Sequence, residues 1–219
     1  LGINSQCDQV DDLLRLVRVY PDPYEAARFL WSIQRSARIA GIEAGGGESI
    51  REETLMAMYL AVSERNFPYS GETGEILVPA TGKYLPYSYW LQPGTAPLLF
   101  ILPGLGSHRE NERTLALAEM GYRRGFSVVV ISSAFHPEFM SAASSQEVPG
   151  YPPTDVPEIR NALEGVHSDL TARYPDRFTG RKALMGVSMG GYHTLFLASE
   201  QASSDGRGFG FDRYVAISP

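Results

Sequence analysis

Hydrophobic positions along this chain follow two different periods, and the change from one to the other falls near Phe67. Before it the spacing is helical. Val10, Leu13, Leu14 and Val17 recur at i, i+3, i+4 and i+7, with Asp8, Asp11 and Asp12 early and Arg15 and Arg18 late, the charge order a helix dipole favours. The stretch "DPYEAARFLWSIQRSARIAG" marks its own ends. Asp22 suits the N-cap, Pro23 the first helical position, Glu25 closes a capping box and Gly41 terminates. After the flexible "EAGGGES", Ser49 and Glu52 form a second capping box ahead of a helix bearing Leu55, Met58, Tyr59 and Val62. Residues 1–66 are therefore expected to be a helical N-terminal extension, and residues 67–219 the main domain.

Beyond Phe67 the pattern shortens. "GEILVPATGKYLPYSYWLQPG" holds two β-prone runs separated by "ATGK", which predicts a hairpin. In its second run Leu85, Tyr87, Tyr89 and Leu91 share one face, while Tyr84 and Trp90 take the other; such an aromatic stripe reads as sheet surface or core. The rest alternates. The buried strand "APLLFILPG" precedes the helix "ERTLALAEMGYRRG", and "FSVVVISS" is a second buried strand. A long irregular segment, residues 134–155, leads to the helix "VPEIRNALEGVHSDLTARY". The strand "KALMGVS", the helix "MGGYHTLFLASE" and the strand "RYVAISP" complete the series. Short continuous apolar strands between helices predict an α/β fold, a mostly parallel sheet flanked by helices.

Composition narrows the partners. A chain of 219 residues holds one sizeable domain with a small appendage. Its net charge of −6 and the absence of any Lys/Arg cluster speak against a nucleic-acid partner. No apolar run approaches the roughly 20 residues of a transmembrane segment. Cys7 is the single cysteine, so no internal disulfide can form. There is no H-E-x-x-H, no H-x-H and no G-x-x-x-x-G-K-[ST], and "GLGSHR" lacks the last glycine of a dinucleotide fingerprint. The sequence thus calls for no metal and no cofactor.

Two segments carry candidate chemistry. In "LMGVSMGGYH" the G-x-S-x-G pattern lies where an apolar strand meets a helix, a junction whose strained turn can lift the Ser188 hydroxyl above the sheet. Gly186 and Gly190 remove side chains that would clash there. Ser188 is the candidate nucleophile; the plainer alternative is a tight turn with an inert serine. In "ILPGLGSHRE" the Gly104-Leu105-Gly106 turn can present a backbone N–H to a developing oxyanion. Leu105 would share that task with Met189, the residue after the nucleophile. Alone, this second segment is equally a Gly-rich turn leading into a helix.

The order strand–"PGLGSH"–helix–strand–long loop–helix–strand–"GVSMGG"–helix–strand resembles the α/β-hydrolase fold from its third to its sixth strand, over residues 72–219. "LPGL" and "GVSMGG" are similar to the esterases and lipases that carry "GL" after the third strand. The resemblance implies a serine hydrolase acting on an acyl ester or thioester, with a small-molecule acyl substrate. It also implies a chain order of Ser, then Asp or Glu, then His, the acid after a seventh strand and the base after an eighth. Since "YVAISP" is the sixth strand, acid and base are expected in a missing C-terminal segment that pairs with it. The 219-residue piece is expected to be inactive. The chain starts at Leu1 rather than Met, so it is expected to begin inside a longer product or after a processing cut.

Many members of the fold carry Asp-x-Arg-Gly-x-Gly after the fourth strand, where this chain has "SSAFHPEF". His108 and His136 follow strand ends on the rim where Ser188 must lie, and are expected to touch substrate. His193, five residues past Ser188 on one helix, is carried away from the hydroxyl. His167 sits mid-helix. Residues 134–155 form a connection long enough to be a lid or binding loop. The rival reading is a non-catalytic hydrolase-like scaffold or small-molecule binding module.

Overall fold

The computed structural model describes residues 61–203, 209–217 and 219, which belong to a unit running from Ala61 to Pro219. The helices expected within 1–66 lie outside the described residues as far as residue 60, and residues 61–66 form no helix. After a 3-10 turn at Pro68–Ser70 come strands β1 (Glu72–Val78), β2 (Lys83–Trp90) and β3 (Ala96–Leu102), then helix α1 (Glu112–Arg123) and β4 (Ser127–Ile131). Helices α2 (Pro137–Ala143) and α3 (Pro152–Arg173) lead to β5 (Phe178–Val187), α4 (Met189–Ser203) and β6 (Arg213–Ile217). The six strands form one sheet in the order β1-β2-β4-β3-β5-β6. β1–β2 and β2–β4 are antiparallel, and every other pair is parallel. This is the α/β-hydrolase arrangement of the first six strands that the resemblance implies.

The alternation of each strand decides which helix it meets. Leu85, Tyr87, Tyr89, Leu98, Phe100, Leu102, Val129 and Ile131 point to one face. There they close a core with Ile159, Leu163, Val166 and Leu170 of α3 and Leu197 of α4. Leu99 and Val128 point to the other face, where α1 packs so closely that a Cβ on Gly121 would lie 2.5 Å from Leu99 Cδ2. Asn111 caps α1 by accepting the Arg113 N–H at 3.1 Å. On its outer flank the buried Glu119 accepts the backbone N–H groups of Ser63 and Glu64 at 2.6 and 3.0 Å, tying down the start of the described chain.

Two elements depart from the expected pattern. The segment 134–155 is not irregular throughout, because α2 occupies Pro137–Ala143. Helix α3 also begins at Pro152, four residues before the expected Val156; consecutive prolines fit a first helical turn, whose N–H groups have no intrahelical acceptor. No helix among the described residues is long and apolar enough to cross a membrane.

Candidate active site

Strands β3 to β6 run parallel, so the loops leaving β3, β4 and β5 gather on one edge of the sheet. Ser188 sits there, between the end of β5 and the start of α4, and its φ of 52° makes it the one described non-glycine residue with positive φ. A β-carbon in that conformation crowds its own carbonyl, so the turn holds strain that its surroundings must enforce. The enforcing contacts are visible. Ser188 N–H donates to the Ile217 carbonyl of β6 at 2.8 Å, and its own carbonyl accepts from Tyr192 N–H at 2.9 Å to start α4.

Glycines make the packing possible. A Cβ on Gly190 would stand 2.1 Å from the Leu102 carbonyl oxygen at the end of β3. On Gly186 it would stand 2.1 Å from the Gly190 oxygen. Both distances are far inside van der Waals contact, and both neighbours are backbone. Helix α4 can therefore press its N-terminus against β3 and β5 only without these side chains. The result is an exposed Ser188 on a tightly gripped turn.

The loop after β3 comes to the same place. A Cβ on Gly104 would lie 3.6 Å from Ser188 Cβ and 3.7 Å from the Val187 oxygen, so the backbone at Gly104 borders the serine. The turn closes through Ser107 N–H to the Gly104 carbonyl at 3.1 Å, with Gly106 at φ 64°. Leu105, at its tip, is exposed and Met189 is half-buried. Among the described residues no acceptor takes the backbone N–H of either, and no side chain hydrogen-bonds the Ser188 hydroxyl.

The four histidines take distinct positions. His193 is buried, stacked on Phe135 with ring centroids 6.3 Å apart, and its burial lowers its pKa to about 4. It is neutral at neutral pH. His167 packs on Phe209 at 5.5 Å, and burial, with Lys182 adding to it, lowers its pKa. His108 and His136 are neighbours, with ring centroids 5.0 Å apart. Their Nδ1 atoms accept backbone N–H groups, from Glu110 at 3.1 Å and from Glu138 at 3.1 Å respectively. A neutral His136 ring therefore carries its proton on Nε2 and offers a donor there, whereas His108 Nε2 faces Arg109 Nη1 at 3.0 Å and Glu138 Oε1 at 3.4 Å.

Around these two rings lies a polar group that the sequence did not single out. Arg109 binds Glu138, and Glu138 also accepts the Ser132 hydroxyl. Burial works against the Glu138 charge, but Arg109 and Ser132 outweigh it and hold the carboxyl below its ordinary pKa. The signal was present as charged residues in the strand-end strings "SHRE" and "HPEF". What hid it was the separation of 29 positions between Arg109 and Glu138.

The segment 134–155 packs beside α4. Phe135 stacks on His193, and Gly150, at φ 135°, rests against the Phe135 ring. A cleft of about 680 Å3 opens elsewhere, lined by Arg160, Glu164, Phe196, Phe209 and Tyr214 among others, and Ser188 is not part of its wall. It is not the place for acyl chemistry.

No protein-family model and no curated relative matches the sequence. Solved structures do. The esterase Pf2001 of Pyrococcus furiosus is 18% identical with a TM-score of 0.43, over 72% of this chain and 52% of its own. An esterase of Rhizomucor miehei is 17% identical with a TM-score of 0.45, over 73% and 45%. Est1E of Butyrivibrio proteoclasticus is 19% identical with a TM-score of 0.42, over 59% and 46%. The chain spans about half the length of these structures.

Proposed function

We propose that this chain is the nucleophile-bearing part of a serine hydrolase that cleaves small acyl esters or thioesters. Ser188 attacks the acyl carbonyl, and the N–H groups of Met189 and Leu105 receive the oxyanion. A histidine takes the serine proton, then returns it to the leaving group, and water releases the acid from the acyl-enzyme. The histidine and its carboxylate partner are assigned to a C-terminal segment following β6. His108 and His136, on the same rim, are assigned to substrate contact.

The observation that carries this reading is the positive φ of Ser188 on a turn gripped by Gly186 and Gly190. A strained, exposed hydroxyl beside two uncommitted N–H groups fits a reacting centre better than an inert turn. The test is covalent labelling of the full-length protein by a fluorophosphonate. The expected outcome is a single adduct on Ser188, lost in Ser188→Ala. Labelling that survives the substitution removes the assignment. Residues 1–219 alone should hydrolyse short-chain esters far more slowly than the full-length protein, since loss of a triad costs about 10⁶-fold.

One observation favours a second reading. Among the described residues no base approaches the Ser188 hydroxyl, as in a fold retained for scaffolding or small-molecule binding. A folded full-length protein that does not label would establish it.

A further inference from the structure

The loops after β3 and β4 are fastened together by a buried ion pair that the proposed chemistry leaves unused. Arg109 is only 9% exposed. Its guanidinium binds Glu138 in the first turn of α2 and donates through Nε to Ser88 Oγ of β2 at 3.0 Å, with Glu110 Oε1 at 3.5 Å. Its backbone N–H donates to Ser132 Oγ at 3.0 Å, and that hydroxyl donates onward to the second Glu138 oxygen. Ser133 N–H then donates to the Ser107 carbonyl at 3.0 Å. Ser107 closes the turn whose first residue, Gly104, borders Ser188. Direct contacts thus run from Glu138 to the backbone beside the serine.

Two imidazoles flank this pair. His136 caps α2 by accepting the Glu138 N–H, and His108 accepts the Glu110 N–H, each through Nδ1. An imidazolium has no acceptor nitrogen, so protonation ends each bond. It also places a cation beside Arg109 and beside the other ring. Glu138 is the carboxylate nearest both rings, 3.4 Å from His108 Nε2, and Arg109 already engages it. Lys83 of β2 donates to the Ser141 carbonyl at 2.9 Å, and Glu158 of α3 accepts Ser145 N–H at 2.7 Å; these are the charges that meet the far end of α2 and the loop after it.

We propose that Arg109 and Glu138 are positioning residues, a clasp that holds the Gly104–Ser107 turn against Ser188, and that protonation of His136 opens it. Its effect on turnover rests on the reading of that turn as an oxyanion site; the clasp itself does not. Burial, then the neighbouring His108, lower the His136 pKa below its ordinary 6.5. The closed form therefore excludes a proton that the open form accepts. Closure is at full strength above about pH 6.5 and weakens as pH falls, by up to about tenfold per pH unit for the His136 ring kept neutral. Glu138, with its own pKa lowered, adds loss in the same direction at still lower pH.

The experiment is amide hydrogen exchange of the full-length protein, read as protection factors for Ser107 and for residues 133–143 at pH 7.5 and 5.5. Wild type is compared with Glu138→Gln and with the double variant His108→Asn, His136→Asn. Asparagine keeps a capping acceptor but does not titrate. Wild type should lose protection at both places by up to about tenfold at pH 5.5, and the double variant less than about twofold. Glu138→Gln should loosen both already at pH 7.5. Protection that ignores pH in wild type, or an equal loss in the double variant, overturns the switch. Loosening of 133–143 in Glu138→Gln with Ser107 still protected overturns the clasp. Should Glu138→Gln fail to fold, Arg109→Lys, which keeps the charge but loses the forked geometry, takes its place. A wild-type protein that never labels with fluorophosphonate sinks the hydrolase reading and leaves the exchange result standing.

Discussion

Two regions of this molecule treat their polar groups in opposite ways. Where α3 ends over the β1–β2 hairpin, the hydroxyls of Tyr87, Tyr89 and Tyr174 are all paired. The Tyr87 hydroxyl donates to Asp169 and accepts from Arg173, and the Tyr89 hydroxyl donates to Glu72 at 2.9 Å beside the Tyr174 hydroxyl at 3.0 Å. The Arg173 guanidinium also stands over the Tyr89 and Tyr174 rings at 5.3 and 5.6 Å. Burial, with these carboxylate and hydroxyl partners, pushes both hairpin tyrosine pKa values well up, so they remain neutral donors. At the strand ends around Ser188 the reverse holds. A strained serine has no hydrogen-bond partner for its hydroxyl, and His193 is buried against a ring rather than a carboxylate. A network that closes on itself fastens two elements and has nothing left to offer a ligand. Uncommitted groups held in a costly conformation need a further reason to persist, and the substrate of the proposed reaction would supply one.

The contrast can be broken most severely at Gly190. In Gly190→Ala the new methyl meets the Leu102 and Pro103 carbonyl oxygens at 2.1 and 2.6 Å, and neither can swing aside as a side chain would. Overpacking of this kind should cost about 3 kcal/mol, measured by urea unfolding, and should slow fluorophosphonate labelling of whatever remains folded. A cost below about 1 kcal/mol would mean that the turn is not gripped by β3, and the strain argument for Ser188 would go with it.

The region around Ser188 was largely legible in the sequence, because its information is local. Strand, serine and glycines lie within one short string, and the apolar-to-helical change of period places the turn between them. The hairpin and the α/β alternation were legible for the same reason. What the sequence concealed was the product of distant pairing. β4 inserts between β2 and β3, so these two consecutive strands are not neighbours, and no local pattern announces it. Helix α2 was hidden because it is a short helix capped by His136, which is outside the usual Ser, Thr, Asp and Asn capping set. The tyrosine network joins β2 to α3 across 82 positions at its Tyr87–Asp169 contact, and alternation alone showed only that Tyr87 faced inward.

That network supplies the second, smaller test. Tyr87→Phe deletes a buried hydroxyl but leaves Arg173 and Asp169 paired with each other at 2.7 Å. Because the charged partners keep an alternative, the expected cost is about 1 kcal/mol. The labelling rate at Ser188 should not change, since the network lies on the hairpin and not at the strand ends. A labelling rate that falls by about tenfold, 1.4 kcal/mol in barrier terms, would show that the two regions are coupled.

The smallest expected effect has the opposite sign. Ser188→Gly should stabilise the fold while abolishing labelling. A left-handed conformation costs an L-residue about 1–2 kcal/mol, and glycine escapes that cost. Glycine gives back about 0.5–1 kcal/mol through the greater freedom of its unfolded chain, so the net gain should be about 0.5–1 kcal/mol. Ser188→Ala is the control, because it deletes the same hydroxyl and keeps the β-carbon at φ 52°. Both variants should fail to label, and only the glycine should unfold at higher urea than wild type. If alanine and glycine are equally stable, the strain at Ser188 is not a stored cost. The serine would then sit in a turn that any residue fills, with no special demand on what it must do there.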